Sequence, residues 1–69
     1  MLGCLMFKNL DEIELTRVIH VIEKNGGNYR NVDMIQDITY VFFTSEYPVR
    51  QPIIMELIKN YLYLFEKMC

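Results

Sequence analysis

The sequence predicts an all-α fold, a small three-helix bundle, and three observations carry that prediction. Two clusters of chain-breaking residues, Asn25-Gly26-Gly27-Asn28 and Tyr47-Pro48-Val49-Arg50-Gln51-Pro52, divide the chain into three segments. Each segment holds an apolar stripe at helical spacing. At 69 residues the chain makes one domain, and packing three stripes together is the simplest way to bury them.

The first helix is predicted at about 10–24. Asn9 is placed to cap it, with Glu12 three residues on, and Asp11, Glu12 and Glu14 put negative charge in the first turns, where the helix dipole favours it. Leu15, Val18, Ile19 and Ile22 share one face, and Arg17, His20 and Lys24 fall opposite. Gly26 follows Lys24 as the residue able to take the left-handed conformation that ends a helix.

The second helix is predicted at about 32–43. The run Ile38-Thr39-Tyr40-Val41-Phe42-Phe43 has high β propensity, but strand alternation leaves neither of its faces polar. A helix gathers Met34, Ile35, Ile38, Val41 and Phe42 on one stripe instead. An edge strand at 38–43, giving an α+β fold, is the alternative. The third helix is predicted at about 52–68, opened by Pro52 and carrying Ile54, Leu57, Tyr61, Leu64 and Met68 at heptad spacing. Residues 1–8 then form a short apolar N-terminal arm, with a short strand over Leu2–Phe7 pairing across a dimer as the alternative.

Composition excludes several classes. A 52% hydrophobic content with a net charge of −2 is too greasy and too weakly charged for a disordered chain. No apolar run approaches the roughly 18 residues of a membrane-spanning helix. Seven Lys+Arg against nine Asp+Glu argue against nucleic-acid binding by bulk charge. No secretion signal is recognisable, so the expected compartment is the cytoplasm. Cys4 and Cys69 read as small apolar residues, and a disulfide, within one chain or between two, is the alternative under oxidising conditions.

No constellation calls for catalysis, a metal or a cofactor. His20 is the only histidine and nothing around it builds a nucleophile–base set, so it reads as a solvated side chain. Asp33 and Asp37 form an i, i+4 carboxylate pair on the predicted second helix, but no Glu-x-x-His motif accompanies them, and they read as helix solubilisers. Gly26-Gly27 follows a helix where a phosphate loop follows a strand.

The expected function is therefore a non-catalytic protein–protein interaction module, a homodimeric regulator, inhibitor or adaptor of the kind that compact phage or viral genomes encode. A core this small is commonly completed by oligomerisation. The third helix is apolar over too wide an arc for one bundle, so Leu57, Tyr61, Leu64, Phe65 and Met68 are the expected self-association seam. Tyr40, Phe43, Tyr47 and Tyr63 are the expected contacts for another protein. The alternative is a helix-turn-helix-like nucleic-acid-binding regulator using Arg17, His20, Lys24 and Arg30. A membrane or a small-molecule substrate is not expected as a partner.

Overall fold

A computed structural model describes the backbone at residues 1–61 and 65–68, and the side chains at 1–49 and 51–60. It overturns the expected bundle. The elements run β1 (Leu2–Lys8), α1 (Glu12–Lys24), β2 (Gly27–Ile35), β3 (Ile38–Ser45), α2 (Arg50–Tyr61) and β4 (Phe65–Met68). The sheet is antiparallel and built on three long strands in the order β2-β3-β1, with the short β4 added beside β1. This β-α-β-β-α-β chain order is the split β-α-β arrangement.

The second segment is the largest correction. It is a hairpin, with β3 at the centre of the three long strands rather than at an edge. Burial along β3 alternates strictly: Thr39, Val41, Phe43 and Ser45 are buried, and Ile38, Tyr40, Phe42 and Thr44 are half-exposed. A central strand need not be polar on either side, so two apolar faces were never an argument against it. The hairpin turns at Gln36-Asp37, where Gln36 takes a positive φ of 56°. A glycine would advertise such a turn; glutamine conceals it.

The ends of the chain also differ from expectation. Residues 1–8 are no loose arm: seven of them form β1, paired on both sides. The third helix ends at Tyr61, not near 68, and the chain returns as β4. The first helix starts two residues later than expected. Asp11 caps it, its carboxylate accepting from the Glu14 backbone N–H while the Glu14 side chain accepts from the Asp11 N–H, the reciprocal pair of a capping box. Asn9, the expected cap, instead takes φ 54° at the end of β1 and donates its backbone N–H to the Asp37 carbonyl at 2.9 Å.

One core lies between the sheet and the two helices. Leu5 and Phe7 from β1, Val41 and Phe43 from β3, Val18, Val21 and Ile22 from α1, and Ile53 and Leu57 from α2 form it, with Leu10 joining from the β1–α1 connection. Of the expected stripe Leu15, Val18, Ile19 and Ile22, Val18 and Ile22 are buried and Leu15 and Ile19 half-buried, and Val21, which the stripe omitted, is buried with them. Gly3 faces this layer because nothing larger fits: a Cβ there would lie 2.2 Å from the Phe43 ring. All helix contacts to the core come from this one side.

Candidate functional site

The other side of the sheet is the candidate site. Side chains alternate across a strand, so the residues paired with core positions define one face and their neighbours define the other. Cross-strand register then lays out the second face in rows: Leu2–Thr44–Asn28, Cys4–Phe42–Asn31, Met6–Tyr40–Asp33 and Lys8–Ile38–Ile35. None of these residues belongs to the cluster packed under the helices, though Cys4 among them is itself buried.

The composition of this face is lopsided. β3 and β1 contribute the rings of Phe42 and Tyr40 beside Met6, with Ile38 and Leu2 at opposite ends; Cys4, in the same column as Met6, is buried and disulfide-bonded, the alternative to the plain apolar residue expected from sequence. Leu2 is 77% exposed and Ile35 59% exposed. β2 contributes a polar margin of Asn28, Asn31 and Asp33. A bulge between Tyr29 and Asn31 sets two residues of β2 against one of β3 and carries Arg30 toward Thr44, whose hydroxyl accepts from the Arg30 Nε at 3.0 Å. Among the residues whose side chains are described, the face is apolar at its centre, with Arg30, Asp33 and Lys8 around it.

The helical side offers a shallower feature. Glu56 on α2 accepts from the Asn25 side-chain amide at 3.1 Å and from the Lys24 ammonium at 3.3 Å, which ties the end of α1 to the middle of α2. The Asn25 hydrogen bond, together with the positive charge of Lys24 and the nearby His20, holds the Glu56 carboxyl below the usual glutamate range. An open cleft of about 420 Å³ beside it is lined by Thr16, Arg17, His20, Val21, Glu56 and Asn60. Its one acid is already engaged, and no group of three or more His, Cys, Asp or Glu side chains converges there or elsewhere among the described residues.

The residues singled out from sequence are dispersed. Leu57 is fully buried in the core and Phe43 is 3% exposed, so neither presents a surface: α2 turns Leu57 onto the sheet, and β3 turns Phe43 under the helices. Tyr40 does sit on the open face, and Tyr47 is exposed in the β3–α2 connection. The side chains of Tyr61, Phe65 and Met68, and Tyr63 and Leu64 altogether, lie outside the described residues, as does Cys69. Arg17, His20 and Lys24 are exposed on α1, whereas Arg30 is bonded over the opposite side of the sheet. Among the described residues Arg30 lies on the other side of the sheet from the three α1 residues, and the two helices pack on a sheet instead of forming a helix-turn-helix. Asp33 and Asp37 are likewise parted, one on β2 and the other in the turn.

Leu2, Met6, Ile35, Ile38 and Phe42 are the surface residues that sequence reasoning did not assign. The signal for them was the very feature that disguised β3, apolar residues on both alternations. No helix among the described residues is long and apolar enough to cross a membrane. Comparison of the chain with protein-family models, with curated proteins and with solved structures gives no match.

Proposed function

We propose that this protein is a small non-catalytic binding module, a regulator, inhibitor or adaptor in kind, whose working surface is the open face of the sheet. The observation that carries the reading is the apolar centre formed by Met6, Tyr40, Phe42 and Ile38, half-exposed on β1 and β3, with Leu2 exposed at one end. Single exposed apolar residues are ordinary, but contiguous ones rimmed by polar side chains mark surfaces that meet another protein. Aromatic and methionine side chains at the centre and Asn, Asp and Arg at the margin follow the usual anatomy of such interfaces. The fold alone supports no particular activity, because folds of this generality host many.

Backbone amide shifts recorded during titration with a hydrophobic dye test the reading. Perturbations centred on residues 4–6 and 40–42 are expected. Perturbations confined to the α1–α2 cleft would move the working surface to the other side of the molecule.

A second reading has one specific observation in its favour. Tyr40 and Phe42 stand on alternate positions of a central strand with Arg30 at one end, an arrangement on which the bases of a single-stranded nucleic acid stack. The net charge of −2 and the single Arg over the face make it the second reading. Fluorescence anisotropy with a labelled oligonucleotide at two salt concentrations tests it: salt-sensitive binding lost in Tyr40→Ala supports it, and no binding removes it.

A further inference from the structure

We infer that the Cys4 disulfide runs to Cys69 and latches β4 onto β1, and that a dithiol reductant opens the latch, frees β4 and uncovers Cys4 on the open sheet face. The bond and the release of β4 stand by themselves. Only the effect on the face rests on the reading of it as the working surface.

Three observations lead to the pairing. Cys4 is disulfide-bonded, and the sequence holds one other cysteine, Cys69. The register of β1 and β4 points to the same residue. Leu5 stands opposite Met68 and Met6 opposite Lys67, so one further antiparallel step sets position 69 opposite Cys4. Residues directly opposite have Cα atoms about 4.5–5.5 Å apart, within the roughly 4.4–6.8 Å that a disulfide spans. Burial is the third observation. Leu2, Met6 and Lys8 share the column of Cys4, and none of them is buried, whereas Cys4 is 9% exposed. No member of the core cluster lies on that face. A disulfide reaching over from β4 supplies the cover that the rest of the column lacks.

The register also shows why β4 needs a bond. β3 pairs with β1 at seven successive positions, from Leu2 to Lys8, whereas β4 pairs at three, with a bulge between Met6 and Phe7. A short, irregular edge strand is held weakly by its own hydrogen bonds. The described core joins β1, β3, α1 and α2, so the layers that remain after release are already packed against one another.

Opening is a thiol–disulfide exchange. One thiolate of the dithiol attacks a sulfur of the bond, forming a mixed disulfide and expelling the other cysteine as a thiolate, which takes up a proton. The second thiol of the reductant gives up its proton, displaces the first cysteine and closes the reductant's own disulfide. Two electrons and two protons pass to the protein, both cysteines end as thiols, and the dithiol ends oxidised. An oxidising compartment keeps the latch shut, and a reducing dithiol pool opens it. Release unpairs the outer backbone of β1 at Leu5–Phe7, a strand edge able to accept an extended segment. It also exposes Cys4 between Leu2 and Met6, opposite Phe42, and so lengthens the apolar strip.

The test begins with the bond. Tryptic digestion of the full chain without reductant should yield Met1–Lys8 joined to Met68–Cys69. Two free thiols after air oxidation, or a covalent dimer, overturn the inference. Amide exchange in the cold, with and without dithiothreitol, then reads the latch. Reduction is expected to speed exchange at Phe65–Met68 at least about a hundredfold and to leave Val41 and Phe43 protected. Reoxidation with glutathione disulfide should restore the protection. Cys69→Ser, which leaves the buried Cys4 in place, should show the released pattern and ignore reductant. β4 amides that stay protected on reduction overturn the latch, and so does a chain that unfolds throughout, because the bond is then a structural staple.

Titration with a hydrophobic dye reads the effect on the face. Binding at residues 4–6 and 40–42 should tighten by about threefold to tenfold on reduction, the gain from uncovering one small apolar side chain. Release of β4 with unchanged dye affinity there overturns the control of the face. Release with no dye shifts there in either state overturns the working-surface reading and leaves the latch standing.

Discussion

Gly3 and Glu56 show how single residues fix the two layers of the molecule. Gly3 has no side chain because the Phe43 ring occupies the space beside it, with ring carbons at 2.2–2.7 Å from where a Cβ would stand. Phe43 is buried among core neighbours and cannot withdraw without opening a void. Gly3→Ala should therefore destabilise by about 1–3 kcal/mol, the range for overpacking a filled core, measured as a shift in the urea midpoint. An unchanged midpoint would mean that the β1–β3 register differs from the one described. Glu56 acts from outside the core by joining the helices through Asn25 and Lys24. Its carboxyl titrates lower in the folded chain than in the unfolded one, so the stabilisation is fully present above the usual glutamate range. It is lost as pH falls through the folded value. Glu56→Gln should remove this part of the acid dependence and leave stability at neutral pH only slightly reduced, because exposed ion pairs are weak. Denaturation curves at a series of acidic pH values check it, and parallel pH profiles for the two chains would refute it.

At the scale of elements, the β2–β3 hairpin carries the conformationally strained turn. Its turn puts a glutamine at φ 56°, a conformation that costs a residue with a side chain about 1–2 kcal/mol and costs glycine almost nothing. Gln36→Gly should stabilise the fold by several tenths to about 1 kcal/mol, since a two-residue turn of this kind favours glycine at its first position. A lower thermal midpoint in that variant would contradict the turn geometry. The same turn explains much of what the sequence concealed. α1 was legible because Asp11, Glu14, Lys24 and Gly26 punctuate it and Val18 and Ile22 form one stripe. β3 was not, because its two alternations are both apolar for different reasons, one serving the core and one the open face. Helical spacing in Met34, Ile35, Ile38, Val41 and Phe42 was a coincidence of a strand that is apolar on both sides. β1 was legible only as an alternative, a short strand at Leu2–Phe7 pairing across a dimer, because its partners within the chain, β3 and β4, are far away in sequence. Of the candidate surface, Tyr40 was legible as an aromatic with no place in a bundle core. Met6 and Phe42 become surface residues only when register is known, and register is a long-range property.

For the whole molecule, the decisive quantity is how much of the apolar chain one copy can bury. The core is a single layer between two short helices and one side of the sheet, and chains below roughly 70–80 residues gain only a few kcal/mol from such a core. The opposite side of the same sheet carries an apolar strip, Met6, Ile38, Tyr40 and Phe42, that is only half-covered in the isolated chain. A ligand that binds this strip in the folded chain and not in the unfolded one raises the thermal midpoint. A hydrophobic dye should therefore raise the wild-type midpoint with concentration and raise that of Tyr40→Glu less, because the substitution sets a charge in the strip. Scanning calorimetry at a series of dye concentrations separates the two behaviours. Equal rises in the two chains would mean that the dye, and with it the working surface, lies elsewhere on the molecule.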